Sequence, residues 1–176
     1  MSSRDTLRAF QSHLANRLQE ARSAGASASW LAVQAAGARL LIPLSHAGEI
    51  FHWVPPQRVP YTHPWFMGVA NLRGALSGVV DFGAFLSEGR APQRSDASFA
   101  QSRLIALNPV LGVNCALMVD RLVGLRNIGA FQSSHESSAE SPAYFGHGYT
   151  DAEGEHWQEV NLQALSQHPI FLSISA

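Results

Sequence analysis

Hydrophobic residues near the amino terminus recur at steps of three and four. The apolar positions in this stretch are Leu7, Phe10, Leu14, Leu18 and Ala21. Polar residues occupy the positions between them, so the pattern predicts one amphipathic helix over residues 4–23. Asp5 is placed as its N-cap and Gly25 as its end. We expect residues 1–28 to form a helix and a linker, and residues 29–176 to form the main domain.

From residue 30 onward the pattern changes to short apolar or alternating runs. The runs lie at 30–34, 39–42, 50–54, 69–72, 75–81, 103–107, 113–119, 122–128, 144–150 and 156–160. Turn residues separate them at intervals of about 8 to 12 residues, which is typical of closed barrels or sandwiches. No internal helix is long enough for a crossover between parallel strands. The sequence therefore predicts an all-β domain with three hairpins, whose turns lie at 36–37, 71–74 and 151–155.

The connections between these runs are polar. We predict exposed loops at 87–102 and 133–142, which are rich in Ser and charged residues. Asp81 is placed as the N-cap of a short helix over 82–86. A helical turn is expected at 161–167, and a terminal strand or tail at 169–174.

Composition excludes several classes of function. The 176-residue chain has a net charge of -1, and all twelve of its basic residues are Arg. It lacks the positive field that nucleic acid or anionic lipid requires. Without any Lys, it can build neither a P-loop nor a Schiff base. It also lacks a secretory signal pattern and an apolar run of about 18 residues, so we expect a cytoplasmic protein without direct membrane insertion.

No motif in the chain indicates catalysis or a bound metal. The eight His residues do not show metal-ligand spacing, and Cys115 lies in an apolar run typical of a buried thiol. Two carboxylates can form an acid–base pair if the fold brings them together, and the candidates are Asp81, Asp120, Glu49 and Glu136. We predict no cofactor, no metal and no catalytic residue.

Three large apolar residues stand together between Pro64 and Gly68. Trp65, Phe66 and Met67 are hard to bury simultaneously in one strand. Aromatic and Met side chains left on a surface are common anchors for protein binding. We therefore predict partner contacts at Trp65 and Phe66.

One segment of the chain carries a motif that is more specific than the hydrophobic pattern. Residues 68–74 read GVANLRG and residues 78–82 read GVVDF. Together they resemble the central signature of the CheW-like coupling proteins. The match in order and spacing extends over about 29–166, with Gly48-Glu49-Ile50 and Val119-Asp120 at corresponding positions. The amino-terminal helix and the Trp65-Phe66 dipeptide are more similar to the PilI-type adaptors of the chemosensory systems that control type IV pili and twitching motility.

The resemblance implies a fold and a function. The fold would be two five-stranded, SH3-like β-barrel lobes sharing a hydrophobic core, with short helices. Such proteins are non-catalytic adaptors that join a methyl-accepting receptor's cytoplasmic tip to a CheA-like histidine kinase regulatory domain in membrane-associated arrays.

The resemblance also assigns the contact residues. It implies receptor contacts at Glu49, Ile50, Asn71, Leu72, Arg73 and Gly74, and further partner contacts at Val119 and Asp120. Arg73 offers a rigid fork of donors and Glu49 is the carboxylate expected to receive it. Asn71 and Gly74 can instead serve only to shape the turn.

Two other functions remain open. A closed sheet can hold a small ligand at its mouth, which makes a ligand-binding barrel the first alternative. A hydrolase that uses Asp81 or clustered His residues is the second, and it requires titratable side chains that converge in a pocket.

Overall fold

The structure, a computed structural model, describes residues 29–90 and 92–176. The predicted helix over 4–23 lies outside these residues. The strands are β1 (Trp30–Ala35), β2 (Ala38–Pro43), β3 (Ala47–His52), β4 (Phe66–Leu72), β5 (Ala75–Asp81), β6 (Arg103–Leu107), β7 (Cys115–Val119), β8 (Arg121–Arg126), β9 (Phe131–His135), β10 (Phe145–Asp151) and β11 (His156–Val160). The helices are α1 (Phe82–Leu86), α2 (Asp96–Gln101), α3 (Leu162–Ser166) and α4 (Pro169–Leu172), and 3-10 turns lie at Pro109–Leu111 and Ile128–Ala130.

The strands form two sheets. Sheet 1 has the order β8-β1-β2-β11-β10-β9, and sheet 2 has the order β3-β6-β7-β5-β4. Most neighbours are antiparallel, but β11 pairs with β2 and β5 pairs with β7 in parallel. The chain starts sheet 1, completes sheet 2, and then returns to finish sheet 1. The predicted all-β fold with two lobes is confirmed.

Sheet 1 has six strands, whereas the sequence analysis expected five in each lobe. The additional strand is β9, which pairs with β10 through Ser133 and Ser134. Its sequence is FQSSH, and four of its five residues are exposed. We predicted a loop over much of this segment because a polar strand at a sheet edge carries no alternating hydrophobic pattern.

Chain connectivity requires sheet 1 to curl. Its edge strands, β8 and β9, are consecutive in the chain, since β8 ends at Arg126 and β9 begins at Phe131. Five residue steps span at most about 18 Å. The edges of a flat six-stranded sheet would lie about 24 Å apart. The sheet therefore bends towards a barrel, which defines lobe 1, and sheet 2 forms lobe 2.

The described residues form three hydrophobic clusters. The largest lies between the lobes and draws residues from both sheets, from α1 and from the carboxyl-terminal helices. A second cluster belongs to sheet 2 and includes Leu104 and Met118. A third belongs to sheet 1 and includes Trp30, Tyr149 and Trp157. Each lobe therefore has its own core in addition to the core that the lobes share.

Strand β7 shows why some runs are continuously apolar. All five of its residues are buried. Cys115, Leu117 and Val119 belong to the shared cluster, whereas Ala116 and Met118 belong to the sheet 2 cluster. Since successive side chains of a strand point to opposite faces, a strand packed on both faces needs an apolar residue at every position.

Short helices occupy segments for which we predicted less structure. Helix α2 lies within the predicted loop at 87–102, with Ser95 as its N-cap. Helix α4 lies within the predicted terminal strand or tail at 169–174, and Phe171 buries against the shared core. The predicted cap at Asp81 is confirmed, because its Oδ1 accepts the Ala84 N–H of α1 at 3.0 Å.

Candidate functional site

The turn between β4 and β5 has a tightly defined backbone. Arg73 and Gly74 form a two-residue loop, with φ values of 51° and 83°. Positive φ at both central positions is the requirement of a type I′ hairpin turn, which favours Gly at the second position. The Asn71 side-chain oxygen accepts the Gly74 N–H at 2.8 Å. Asn71 and Gly74 therefore shape the turn and present Arg73 at its tip.

Arg73 pairs with a carboxylate at the opposite edge of the same sheet. Its Nη2 lies 2.5 Å from Oε1 of Glu49 on β3, as the sequence analysis expected. Strands β3 and β4 are the two edges of sheet 2, and in a flat sheet they would lie about 19 Å apart. The ion pair therefore joins the two edges of the curled sheet.

Both members of this ion pair are accessible to a partner. The Arg73 side chain is 77% exposed and that of Glu49 is 41% exposed. Exposed ion pairs contribute about 0 to 1 kcal/mol to stability, because water and salt screen them. The pair fixes the orientation of a guanidinium at the surface without contributing much to the fold.

Exposed apolar side chains accompany the charged pair on the same elements. Ile50 follows Glu49 on β3 and is 40% exposed. Leu76 pairs with Asn71 across the hairpin and is 64% exposed. Leu76 was not among the predicted site residues, although its position opposite Asn71 in the predicted hairpin is a signal that could have identified it. We define the turn surface as Glu49, Ile50, Asn71, Arg73, Gly74 and Leu76.

Leu72 does not belong to this surface. Its side chain is 5% exposed and packs in the sheet 2 cluster. Strand β4 alternates, and Leu72 points into the core between the exposed residues Asn71 and Arg73. The receptor contact expected at Leu72 stays a prediction.

The predicted aromatic anchors are also buried. Trp65 and Phe66 are 4% and 9% exposed and belong to the shared core. Trp65 stacks on Phe171 with ring centroids 6.3 Å apart and meets Phe85 edge-on at 5.2 Å. The expectation that Trp65 and Phe66 are left at the surface is therefore wrong, and a partner contact at either residue stays a prediction. The sequence could not reveal that rings about 20 and 100 residues further along the chain would cover Trp65.

Val119 and Asp120 have structural partners within the chain. Val119 is fully buried in the shared core. The partner contact expected at Val119 stays a prediction. The Asp120 side chain is 32% exposed, and its Oδ1 lies 2.8 Å from Nε of Arg94. Arg94 also forms an ion pair with Asp81. Arg94 was not predicted as a site residue, because it is one of two Arg residues in a polar connection that has no local motif.

The charges around Arg94 are mutually satisfied. Burial lowers the pKa of the Arg94 guanidinium, but its hydrogen bonds and charge interactions with Asp81 and Asp120 outweigh that effect and raise the pKa above its ordinary value. The fold thus brings together two of the four carboxylates considered for acid–base chemistry. Arg94 stands between them as a permanent cation, so the arrangement is an ion-paired cluster.

The described parts of the chain hold neither a cluster of metal ligands nor an ionised thiol. Within residues 29–90 and 92–176, no three His, Cys, Asp or Glu side chains are placed to hold a metal ion. Burial raises the pKa of the Cys115 thiol to about 12, so this thiol stays protonated at neutral pH. Among the same residues, no helix combines the length and the apolar character needed to cross a membrane.

A cavity of about 830 Å³ opens between the connection after β3 and the segment around α2. Trp53 and Phe99 line it and stack with ring centroids 4.7 Å apart. Asp81 and Arg94 also line it, but they are already paired with each other. The volume lies in the range of small-molecule sites.

Comparisons with known proteins give a family model, a relative in sequence and a similar fold. The family model described as "CheW-like domain" matches residues 29–169. The chain is 28% identical to Protein PilI of Pseudomonas aeruginosa over 164 residues, which cover 92% of this chain and 88% of PilI. Its fold is similar to the crystal structure of the scaffolding protein TtCheW from Thermoanaerobacter tengcongensis, with a TM-score of 0.58 and 16% identity over 76% of this chain and 88% of TtCheW.

Proposed function

The chain belongs to the CheW-like domain family, and from this premise we propose that it couples a methyl-accepting receptor to a CheA-like histidine kinase. Proteins of this family are non-catalytic scaffolds, and a fold with a charged, accessible turn surface is compatible with that role. The proposed partners are the cytoplasmic tip of the receptor and the regulatory domain of the kinase.

The pathway that we propose is the chemosensory control of type IV pili and twitching motility. The similarity to PilI extends over 92% of the chain and supports this assignment. The adaptor would then work in the cytoplasm, where receptor arrays at the membrane would recruit it through protein contacts.

The Arg73 to Glu49 ion pair is the observation that supports the receptor site. It holds a planar guanidinium at the surface in a fixed orientation, between two sheet edges and close in sequence to Ile50 and Leu76. A guanidinium fork recognises carboxylates and carbonyls with geometric specificity. Exposed aliphatic side chains add apolar area that a partner can bury. We propose that the receptor tip contacts the turn surface.

The test separates direct contact from turn shape. Asn tolerates positive φ in a type I′ turn, so Arg73→Asn keeps the backbone conformation and removes the guanidinium. We expect Arg73→Asn to weaken binding to the receptor tip at least tenfold in calorimetric titration, with the melting temperature and kinase binding unchanged. Unchanged receptor affinity in this variant would contradict the proposed contact.

A matched control is available in lobe 1. Arg39 forms a similar exposed pair with Glu155, at 2.7 Å, with 34% and 46% of the side chains exposed. Arg39→Asn removes the same charge from a different surface, and we expect it to bind the receptor tip like the unmodified protein. Equal losses in Arg39→Asn and Arg73→Asn would indicate a nonspecific effect of charge.

The cavity beside Trp53 is the observation that favours a ligand-binding barrel as a second candidate function. A thermal-shift screen with metabolites distinguishes the two functions. Stabilisation by a metabolite, without any binding of receptor tip or kinase domain, would favour the ligand-binding barrel. Binding of both polypeptides supports the adaptor.

A further inference from the structure

Arg94 lies buried between two carboxylates that belong to different parts of the fold. Its side chain is 6% exposed. Its Nη1 and Nη2 both donate to the Asp81 carboxylate, the latter at 3.0 Å, and its Nε donates to Asp120 at 2.8 Å. A guanidinium suits this geometry because its donors form a rigid planar fork.

Asp81 anchors this cluster in lobe 2. It is the last residue of β5, is 2% exposed, and pairs in register with Met118 on β7. Its Oδ1 also caps α1 through the Ala84 N–H. The position of this carboxylate is therefore set by both the sheet and the helix that follows it.

Asp120 connects the cluster to lobe 1. It lies between β7 of sheet 2 and β8 of sheet 1, where the chain crosses from one lobe to the other. Its N–H donates to the Gln34 carbonyl at 2.8 Å, and its Oδ2 accepts the Ala36 N–H at 2.7 Å. Ala36 begins the β1–β2 turn with φ of 48°. One carboxylate thus binds Arg94 with one oxygen and the turn of lobe 1 with the other.

The two lobes approach closely at this point. A Cβ on Gly83 of α1 would lie 2.8 Å from the Ala36 Cβ and 2.9 Å from the Ala36 nitrogen. The space between α1 and the β1–β2 turn is therefore filled. Without the guanidinium, the buried Asp81 carboxylate and the half-buried Asp120 carboxylate would face this junction without a cation. A buried charge without a partner is strongly unfavourable.

We propose that Arg94 is an interlobe latch that fixes the position of the β1–β2 turn of lobe 1 against α1 of lobe 2. The latch runs from Asp81 through Arg94 and Asp120 to the Ala36 N–H. It goes beyond the proposed function, because it concerns how the lobes are held together and is independent of which partner binds either lobe.

The primary test measures the distance between the lobes. Nitroxide labels at Val110→Cys in lobe 2 and Glu153→Cys in lobe 1, both exposed positions, report this distance by electron–electron resonance in a Cys115→Ala background. We expect Arg94→Met to broaden the distance distribution at least twofold. Arg90→Met is the matched control, because exposed Arg90 lies near the same connection and its loss should leave the distribution unchanged. An unchanged distribution in folded Arg94→Met overturns the latch.

Amide exchange supplies a second readout. In Arg94→Met we expect the Ala36 amide to exchange at least tenfold faster, whereas amides of β7 keep their protection. Equal acceleration in β7 would show general destabilisation and overturn the proposal. If Arg94→Met does not fold, Arg94→Gln decides, since it removes the guanidinium and leaves in place the Asp120 carboxylate that accepts the Ala36 N–H. Faster exchange at Ala36 supports the latch in that variant, and exchange at the unmodified rate overturns it.

Discussion

Asp151 shows how one side chain can organise a turn. Its Oδ1 accepts the backbone N–H groups of Glu153 and Glu155 at 3.0 and 2.9 Å, and its Oδ2 accepts the Trp157 indole N–H at 2.9 Å. The Trp157 hydrogen bond is the largest cause that lowers the pKa of Asp151 below its ordinary value. Desolvation opposes it, and the hydrogen bonds from the Glu155 and Glu153 backbone and the charge of Arg39 lower the pKa further. The ionised carboxylate therefore stabilises the β10–β11 turn.

This lowered pKa gives a prediction with a definite sign. The stabilisation is fully present above the unfolded pKa of about 3.9, and it is lost as the pH falls through the lower folded value. We expect the unmodified protein to be more stable than Asp151→Asn at pH 7 in urea unfolding, and this advantage to shrink progressively below pH 4. The Asp151→Asn variant lacks only the titration of this carboxylate and shares all other effects of acid with the unmodified protein. A stability difference between the two proteins that stays constant down to pH 2 would therefore contradict the lowered pKa of Asp151.

Gly68 and Gly112 form a natural pair for testing backbone constraints. Both have positive φ, at 130° and 71°. A Cβ on Gly68 would lie 2.0 Å from the Gln57 carbonyl oxygen, whereas a Cβ on Gly112 would meet no atom within 4 Å. We expect Gly112→Ala to lower the free energy of unfolding by about 1 kcal/mol, because Ala is strained in the left-handed backbone conformation. We expect Gly68→Ala to lower the free energy of unfolding by about 3 kcal/mol or more, because the Gln57 backbone must also move to make room for the methyl group. Denaturant titration measures both, and equal costs would contradict the close approach.

At the scale of elements, local signals predicted the hairpins. The Ala36-Gly37 and Arg73-Gly74 turns lie at the predicted positions. A two-residue hairpin loop favours Gly at its second position, so the two loop residues alone are enough to predict the turn. The cap at Asp81 was predictable for the same reason. Glu49 and Arg73 could be paired only through the family resemblance, since no local rule joins the two edges of a sheet.

The elements that the sequence did not reveal depend on distant partners. Strand β9 exists because β10 offers an unpaired edge to a polar segment. Arg94 is buried by carboxylates 13 and 26 positions away in sequence. Trp65 is buried by α4, whose placement follows from tertiary packing. Hydrophobic pattern and composition carry no information about such long-range contacts.

At the scale of the whole molecule, the shared core couples the lobes. Leu117 on β7 is fully buried in that core, together with side chains from β1 and β2. A Leu→Ala change at such a site costs about 2 to 5 kcal/mol. Because the lost contacts belong to both lobes, we expect Leu117→Ala to lower the stability of both lobes equally.

Intrinsic tryptophans allow this to be measured lobe by lobe. Trp30 and Trp157 lie in the lobe 1 cluster, whereas Trp53 packs on the lobe 2 cluster. Fluorescence is followed during urea unfolding in variants that retain only one of these three Trp residues. We expect the lobe 1 and lobe 2 reporters to give the same urea midpoint, and Leu117→Ala to lower both midpoints by the same amount. Separate midpoints would contradict a shared core that couples the lobes.

The order of strands along the chain also bears on how the protein is synthesised. All strands of sheet 2 lie between residues 47 and 119, whereas sheet 1 needs both β1 and β11, which ends at Val160. On the ribosome, lobe 2 can fold before β10 and β11 have been synthesised. During that time the apolar faces of β1 and β2 remain exposed. Nascent chains with such unsatisfied surface are prone to association. Chaperone capture should therefore peak before residue 160 emerges and fall once β10 and β11 dock.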